Sequence, residues 1–202
     1  MRLATPSSVL AVLNIQSSTG SLASAESALD ATVSLLEGRL DTQFGLASRL
    51  DHFFLSDSPR MRKLRLTASF IRKVVVTVNA AGSFSGGTVL PSTDYFVDVS
   101  RGVITLVNPV GYVYVSVSYT SGFDVDPANP TIAVGAPDTL VEAHKCLACS
   151  AMQLNPANVA KDKAKALGTA SIDGYQQQAY RAIEPYVRPR SSCVWPDATV
   201  TK

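Results

Sequence analysis

The chain has 202 residues, with 18 Lys and Arg against 16 Asp and Glu, two His and three Cys. A net charge of +2 gives no global pull toward nucleic acid, and an apolar share of 46% excludes wholesale disorder. Charged residues make up 17%, below the roughly 25% of an ordinary soluble domain, as in subunits largely covered by partners.

No apolar run approaches the roughly 20 residues that a bilayer crossing needs. The N-terminus has one basic residue, Arg2, and then Pro6, Ser7 and Ser8 where a signal peptide requires an apolar helix, so synthesis in the cytosol is expected. An odd number of cysteines points to free thiols rather than a disulfide framework.

The elements follow in chain order. Thr5-Pro6 reads as an N-cap with proline at the first helical position, leading into Val9, Leu10, Val12 and Leu13. A long amphipathic helix is expected over 21–44. Leu22, Leu29, Val33, Leu36, Leu40 and Phe44 share one face, and Gly45 is placed as a left-handed stop. From 61 to 123 the pattern turns β-branched and alternating. Strands are expected at 64–67, 71–78, 95–99, 103–107 and 112–120, with tight turns at 100–102 and 108–111. The last strand should bury Val113, Val115, Val117 and Tyr119 and expose Tyr112, Tyr114, Ser116, Ser118 and Thr120. Residues 124–137 read as a proline-rich loop. A helix is expected from Pro137 or Asp138, with Thr139 and Glu142 at capping-box spacing and Leu140, Ala143, Leu147, Ala151 and Leu154 as its stripe. Residues 168–174 read as irregular, and a last helix from about Tyr175 carries Ala179, Ile183 and Tyr186.

The catalytic inventory is thin. Ser83-Phe84-Ser85 between Gly82 and Gly86 has phenylalanine where a nucleophile elbow needs serine. His144, Cys146 and Cys149 crowd one helix, but zinc needs four convergent ligands and no second pair of ligands follows, so the cysteines read as small buried hydrophobes. No phosphate loop or calcium loop is present. No catalytic residue, cofactor or metal is assigned; a hydrolase using His52 or His144 is the remote case.

Two features stand out from the background. Arg60, Arg62, Lys63, Arg65, Arg72 and Lys73 gather six cations without an acid from 58 to 93. They read either as a solvated sheet edge or as a surface that docks a partner. The tail carries Arg188, Arg190, Val194 and Trp195, the only tryptophan, and reads either as frayed chain or as an anchor into a neighbour.

Three stretches together resemble the head–tail adaptor, or connector and head-completion, proteins of tailed bacteriophages. They are the helix containing Leu29 to Phe44; the strand Val117-Ser118-Tyr119-Thr120-Ser121-Gly122-Phe123 followed by a proline loop and Pro137-Asp138-Thr139-Leu140 with Ala143; and Gly168 to Tyr175 leading into a helix with Arg181 and later arginines. The resemblance implies a non-enzymatic virion protein that forms a homo-oligomeric ring, a dodecamer, in the neck. Its partners would be its own copies, the portal protein and a downstream neck or tail protein. Genomic DNA would pass through the channel without sequence-specific binding, and no membrane would be involved. Assembly would take place in the host cytoplasm.

The expected fold class is α+β: a helical bundle with an inserted small antiparallel β-sheet and an extended C-terminal tail. Residues 1–58 would be the N-terminal helical part, 59–124 the β insertion, 125–187 the C-terminal helical part and 188–202 the tail. A different class of reading is a non-enzymatic binding module whose sheet tyrosines, Tyr95, Tyr112 and Tyr114, hold a carbohydrate or peptide.

Overall fold

A computed structural model describes residues 1–55, 63–80, 84, 86–108, 113–154 and 169–187. The architecture is α+β, with helices at both ends of the chain and antiparallel strands between them. It divides into a unit of residues 1–40 and 123–187 and a unit that begins at Asp41 and runs to Gly122. The expected tail, residues 188–202, lies outside the described residues, as does the predicted polar helix at 161–167.

The first unit contains four helices among the described residues: α1 (Pro6–Val12), α2 (Thr19–Leu40), α3 (Asp138–Leu154) and α4 (Thr169–Ile183). Thr5 caps α1 as expected, its hydroxyl accepting from the Ser8 N–H with Pro6 at the helix start. Helix α2 ends at Leu40, four residues short of the expected end at Phe44. Asp41, not Gly45, adopts the left-handed conformation, at φ 50°. Phe44 is buried, but beyond the helix.

The core of this unit joins Val9 and Leu10 of α1, Ala25, Ala28 and Leu29 of α2, and Ala148, Cys149 and Met152 of α3. Small side chains at Ala25, Ala28, Ala148 and Cys149 allow the helix axes to approach closely. Helix α3 touches α1, α2 and α4 and is therefore buried on several sides. Its capping box does not form: the Pro137 carbonyl accepts the first helical bonds, and the Thr139 hydroxyl pairs with the Tyr186 hydroxyl at 2.7 Å. Helix α4 begins at Thr169, so the stretch read as irregular is helical through Gly174. Pro185 lies in a closing 3-10 turn, Glu184–Tyr186.

The predicted proline loop is a hairpin of two strands, Asp124–Asp126 and Asn129–Val134, called β8 and β9 below. Arg2 lies alongside it, donating its N–H to the Thr131 carbonyl and accepting from the Ala133 N–H, both at 2.8 Å. The Arg2 guanidinium makes two bonds to the Asp30 carboxylate, at 2.7 and 2.8 Å. That pairing holds Asp30 below the usual carboxylate range.

The second unit is two sheets packed face to face. Strands β1 (Ala47–Phe54), β7 (Tyr114–Ser121), β3 (Ile71–Asn79) and β4 (Thr88–Val89) form one, in that order; β2 (Lys63–Arg65), β6 (Val103–Leu106) and β5 (Tyr95–Asp98) form the other. Inward side chains from both make one core: Phe53, Val76, Val78, Val115, Val117 and Tyr119 from the first, Leu64, Ile104 and Leu106 from the second. Val115, Val117 and Tyr119 of the last strand are thus buried as expected, whereas Val113 precedes the strand and is half-buried, and Ser116, expected to be exposed, is buried. Strand β1 is the addition. Read from sequence, its residues belong to no strand, yet they pair with β7 along their whole length.

Gly122 needs its lack of a side chain. It sits at φ +95°, and a Cβ there would fall 2.3 Å from the Gly45 carbonyl oxygen.

Candidate docking surfaces

The described residues contain three places with chemistry of interest: the histidine and cysteines of α3, a buried carboxylate under β1, and the two outer faces of the β unit.

His144 is completely buried. Its Nδ1 accepts the Leu3 N–H at 3.1 Å and its Nε2 meets the Leu29 carbonyl at 2.9 Å, which assigns the proton to Nε2. Burial pushes its pKa down to about 4. A neutral ring engaged on both nitrogens by backbone ties three chain segments together and has no lone pair left for a metal. Cys146 and Cys149 are buried, and burial raises both thiols, Cys149 to about 12, so neither is a thiolate near neutrality.

Asp51 is 5% exposed and faces the core from β1. Its Oδ2 accepts from the Thr67 N–H at 2.6 Å and the Tyr119 hydroxyl at 2.8 Å, and its Oδ1 from the Thr67 hydroxyl at 2.9 Å. Burial pushes Tyr119 up to about 12. This is a structural network that holds the 66–69 turn against both β1 and β7.

The outer face of the four-stranded sheet follows from register. Directly opposed residues share a face, so Leu50, Ser118 and Val75 form one row and Phe54, Tyr114 and Asn79 another. Between them His52, Ser116, Thr77 and Val89 form the third. Leu50 is 58% exposed and Val89 59%, with Val75 and Phe54 also exposed. The aromatic rings touch: Phe54 and Tyr114 at 5.2 Å between centroids, Phe84 and Tyr114 at 4.9 Å, Phe84 and His52 at 4.5 Å. The His52 Nδ1 lies 3.0 Å from the Ser116 hydroxyl, the single serine–histidine contact among the described residues. No Asp, Glu, Lys or Arg stands in these three rows; the next row on the same side is Ser48, Thr120 and Arg72.

On the opposite side, the outer face of the three-stranded sheet has rows Phe96–Thr105–Lys63 and Asp98–Val103–Arg65. Phe96 is 69% exposed, and Lys63 and Arg65 are exposed beside it.

Of the six predicted docking cations, Lys63 and Arg65 therefore stand together on this face. Arg72 and Lys73 are on β3 of the other sheet, where a register shift falls between Arg72 and Val75 and Lys73 takes φ 48°. The Arg72 guanidinium donates to the Gly122 carbonyl at 2.9 Å. Arg60 and Arg62 lie outside the described residues, as do the tail residues Arg188, Arg190, Val194 and Trp195. Of the three tyrosines proposed for a ligand platform, the two that are described do not share a face. Tyr114 is on the aromatic face, Tyr95 is turned inward with its hydroxyl toward the Val74 carbonyl, and Tyr112 is outside the described residues.

The aromatic face was missed from sequence. His52 and Phe54 belong to the unrecognised strand, and Phe84 lies in a glycine-rich loop whose only signal was a false motif. Across 50–54 the usual alternation is inverted, with Leu50 and Phe54 facing out and Asp51 facing in. No helix among the described residues is long and apolar enough to cross a membrane.

No protein-family model matches the chain, and no curated protein matches it. Solved structures of low similarity exist. The neck of an empty GTA particle computed with C6 symmetry aligns at 19% identity over 85% of this chain and 88% of that one, with a TM-score of 0.41. The virion of a native gene transfer agent (GTA) particle aligns at 22% identity over 85% and 88%, with a TM-score of 0.38. The neck of a native GTA particle computed with C12 symmetry aligns at 23% identity over 76% and 82%, with a TM-score of 0.35.

Proposed function

We propose that the chain is a structural neck subunit of a tailed-phage-type particle, many copies of which form a ring between the portal of the head and the tail, continuing the DNA channel. The observation that carries the reading is the pair of unlike outer faces on the β unit, one with exposed Leu50 and Val75 beside touching aromatic rings, the other with the exposed Phe96 beside Lys63, Arg65 and Asp98. A closed ring repeats one head-to-tail contact, so each subunit needs two different patches rather than one self-complementary patch. The order of elements, helix then sheet then helix, and the three stretches that resemble the connector family support the same role. Its partners are further copies, the portal and a downstream neck or tail protein, and its place is the virion neck.

The test is electron microscopy of portal-bearing heads incubated with the purified chain. A ring of added density at the portal vertex is expected; heads that neither bind the chain nor acquire a ring would overturn the reading. Replacing Arg62, Lys63 and Arg65 with serine should weaken incorporation into the particle more than thermal stability; Lys63 and Arg65 are exposed, and exposed substitutions usually cost under about 0.5 kcal/mol. Removing residues 189–202 should leave folding intact and impair attachment to heads.

A further inference from the structure

The two sheets of the sandwich end in edge strands, and all but one of these edges are blunted. Strand β4 is two residues long, β2 is three residues bounded by Lys63 and Arg65, and β5 is four residues ending at Asp98. Short edges and charged edges resist the addition of a further strand. Strand β1 is different. It runs eight residues at the end of the four-stranded sheet, pairs with β7 without a register shift and holds no proline.

Hydrogen-bond phase decides which backbone groups of β1 are already used. The Leu55 N–H donates to the carbonyl of Val113, its register partner one step beyond β1, and the Gly122 N–H donates to the Phe70 carbonyl on the β3 side. In an antiparallel pair, hydrogen-bonded residues alternate with residues whose N–H and C=O point away. Both bonds give one phase: odd-numbered residues of β7 turn to β1 and even-numbered ones to β3. Arg49, Asp51 and Phe53 therefore bond to β7, whereas Ser48, Leu50, His52 and Phe54 direct their N–H and C=O groups out of the sheet. Among the described residues these outward groups have no partner, and Ser48, Leu50 and Phe54 are exposed. Neither charge on β1 guards the edge. The Arg49 Nε donates to the Ser121 hydroxyl at 3.0 Å, and Asp51 is buried with donors of its own.

We propose that the outer edge of β1 receives an extended segment of a partner protein, which adds a further strand to the four-stranded sheet. Main-chain donors and acceptors repeating at every second residue are matched by another strand, and the alternate side chains of that strand give specificity. On the outer side they lie beside Leu50 and Phe54, so the segment carries an apolar residue at every second position. A second copy meeting this one edge to edge would touch it along eight residues of about 3.3 Å and one strand spacing of about 4.8 Å, roughly 130 Å². A stable interface takes roughly 800 Å² from each partner. The edge thus suits a flexible segment that lies along it, not a rigid second subunit. The inference goes beyond the neck reading and does not depend on it.

The experiment is amide hydrogen exchange by NMR on the isotope-labelled full chain. The probe is the peptide Lys-Thr-Val-Thr-Val-Thr-Val-Lys with blocked ends; the control is the same peptide N-methylated at every Thr and Val, which keeps the side chains and removes the donors. In the free chain the amides of Arg49, Asp51 and Phe53 should exchange slowly and those of Ser48, Leu50, His52 and Phe54 fast. Probe at about ten times its Kd, up to about 1 mM, should slow the second set about tenfold. Leu50→Pro removes an outward N–H and none from the β7 ladder, so it should abolish the effect. Leu50→Thr keeps the N–H and should retain it. Slow exchange at Asp51 and Phe53 with an unchanged melting transition checks that β1 stays in place, and Ser48→Pro replaces Leu50→Pro where it does not.

Slow exchange of the outward set in the free chain at low concentration overturns the proposal, because the edge is then already filled. So does protection that rises with chain concentration without peptide, which makes the occupant a second copy. No protection at about 1 mM probe, equal protection by the N-methylated control, or full protection in the proline variant also overturns it. Attachment to heads tests the neck reading alone and is untouched by any of these results.

Discussion

His144 and Asp51 show how much a single polar side chain carries when it is placed where water cannot reach. His144 is held neutral, with its pKa lowered to about 4 against an ordinary 6.5. Between those values the unfolded chain binds a proton that the folded chain does not, so stability rises with pH across that window. Above about pH 6.5 the contribution is fully present; as pH falls through 4 it is lost, on the order of 3 kcal/mol in all. Urea titrations from pH 7 to 4 should show this decline. His144→Asn, which keeps an acceptor near the Leu3 N–H but cannot charge, should flatten it while costing about 2 kcal/mol at pH 7. An equally steep decline in the variant would place the acid sensitivity elsewhere. Asp51 is the counterpart in the β unit. Asp51→Ala strands the Thr67 N–H and the Tyr119 hydroxyl and should cost about 3 kcal/mol, whereas Tyr119→Phe should cost about 1. Because the two share one network, the double variant should cost less than the sum; strict additivity in equilibrium denaturation would show that the bond between them contributes nothing.

At the scale of elements, those that announce themselves in the sequence are those whose burial matches their polarity. Helix α2 buries Leu29, Val33, Leu36 and Leu40 at helical spacing, and β7 buries Val115, Val117 and Tyr119 at every second position. Strand β1 hides for the opposite reason. Its inward carboxylate is satisfied by residues far along the chain, and its outward Leu50 and Phe54 are apolar, so no alternation marks it. The β8–β9 hairpin hides behind Pro127 and Pro130; it is short, and its outer partner is Arg2 at the other end of the chain. Four cations of the basic cluster are described, Lys63 and Arg65 on β2 and Arg72 and Lys73 on β3, and which of them share a face depends on their lying in two different sheets. Gly122, at the junction of β7 and β8, gives a direct test of this element packing. Gly122→Ala combines a left-handed backbone with a Cβ pressed onto backbone atoms of Gly45 and Phe44. It should cost at least about 2 kcal/mol, by the strain and overpacking it forces. A melting temperature within a degree of the wild type would show that the 44–45 segment moves aside freely.

For the molecule as a whole, the low charge noted at the outset takes on a location. Three rows on the outer side of the four-stranded sheet are free of ions, Arg72 stands in the row next to them, and Lys63 and Arg65 lie on the other sheet. One further consequence comes from the close approach at Gly122. The chain enters the β unit past Gly45 and leaves it at Gly122, and these two points touch, with Ala47 paired to Ser121 just inside them. Entry and exit form a clasp, so the sequence between them can lengthen, shorten or be exchanged without changing the separation of the strands that pass through it. A lineage could replace the whole sandwich, and with it both of its outer faces, while keeping the helices on either side. The stretch between Gly45 and Gly122 is in this sense a cassette, free to diverge at a pace of its own.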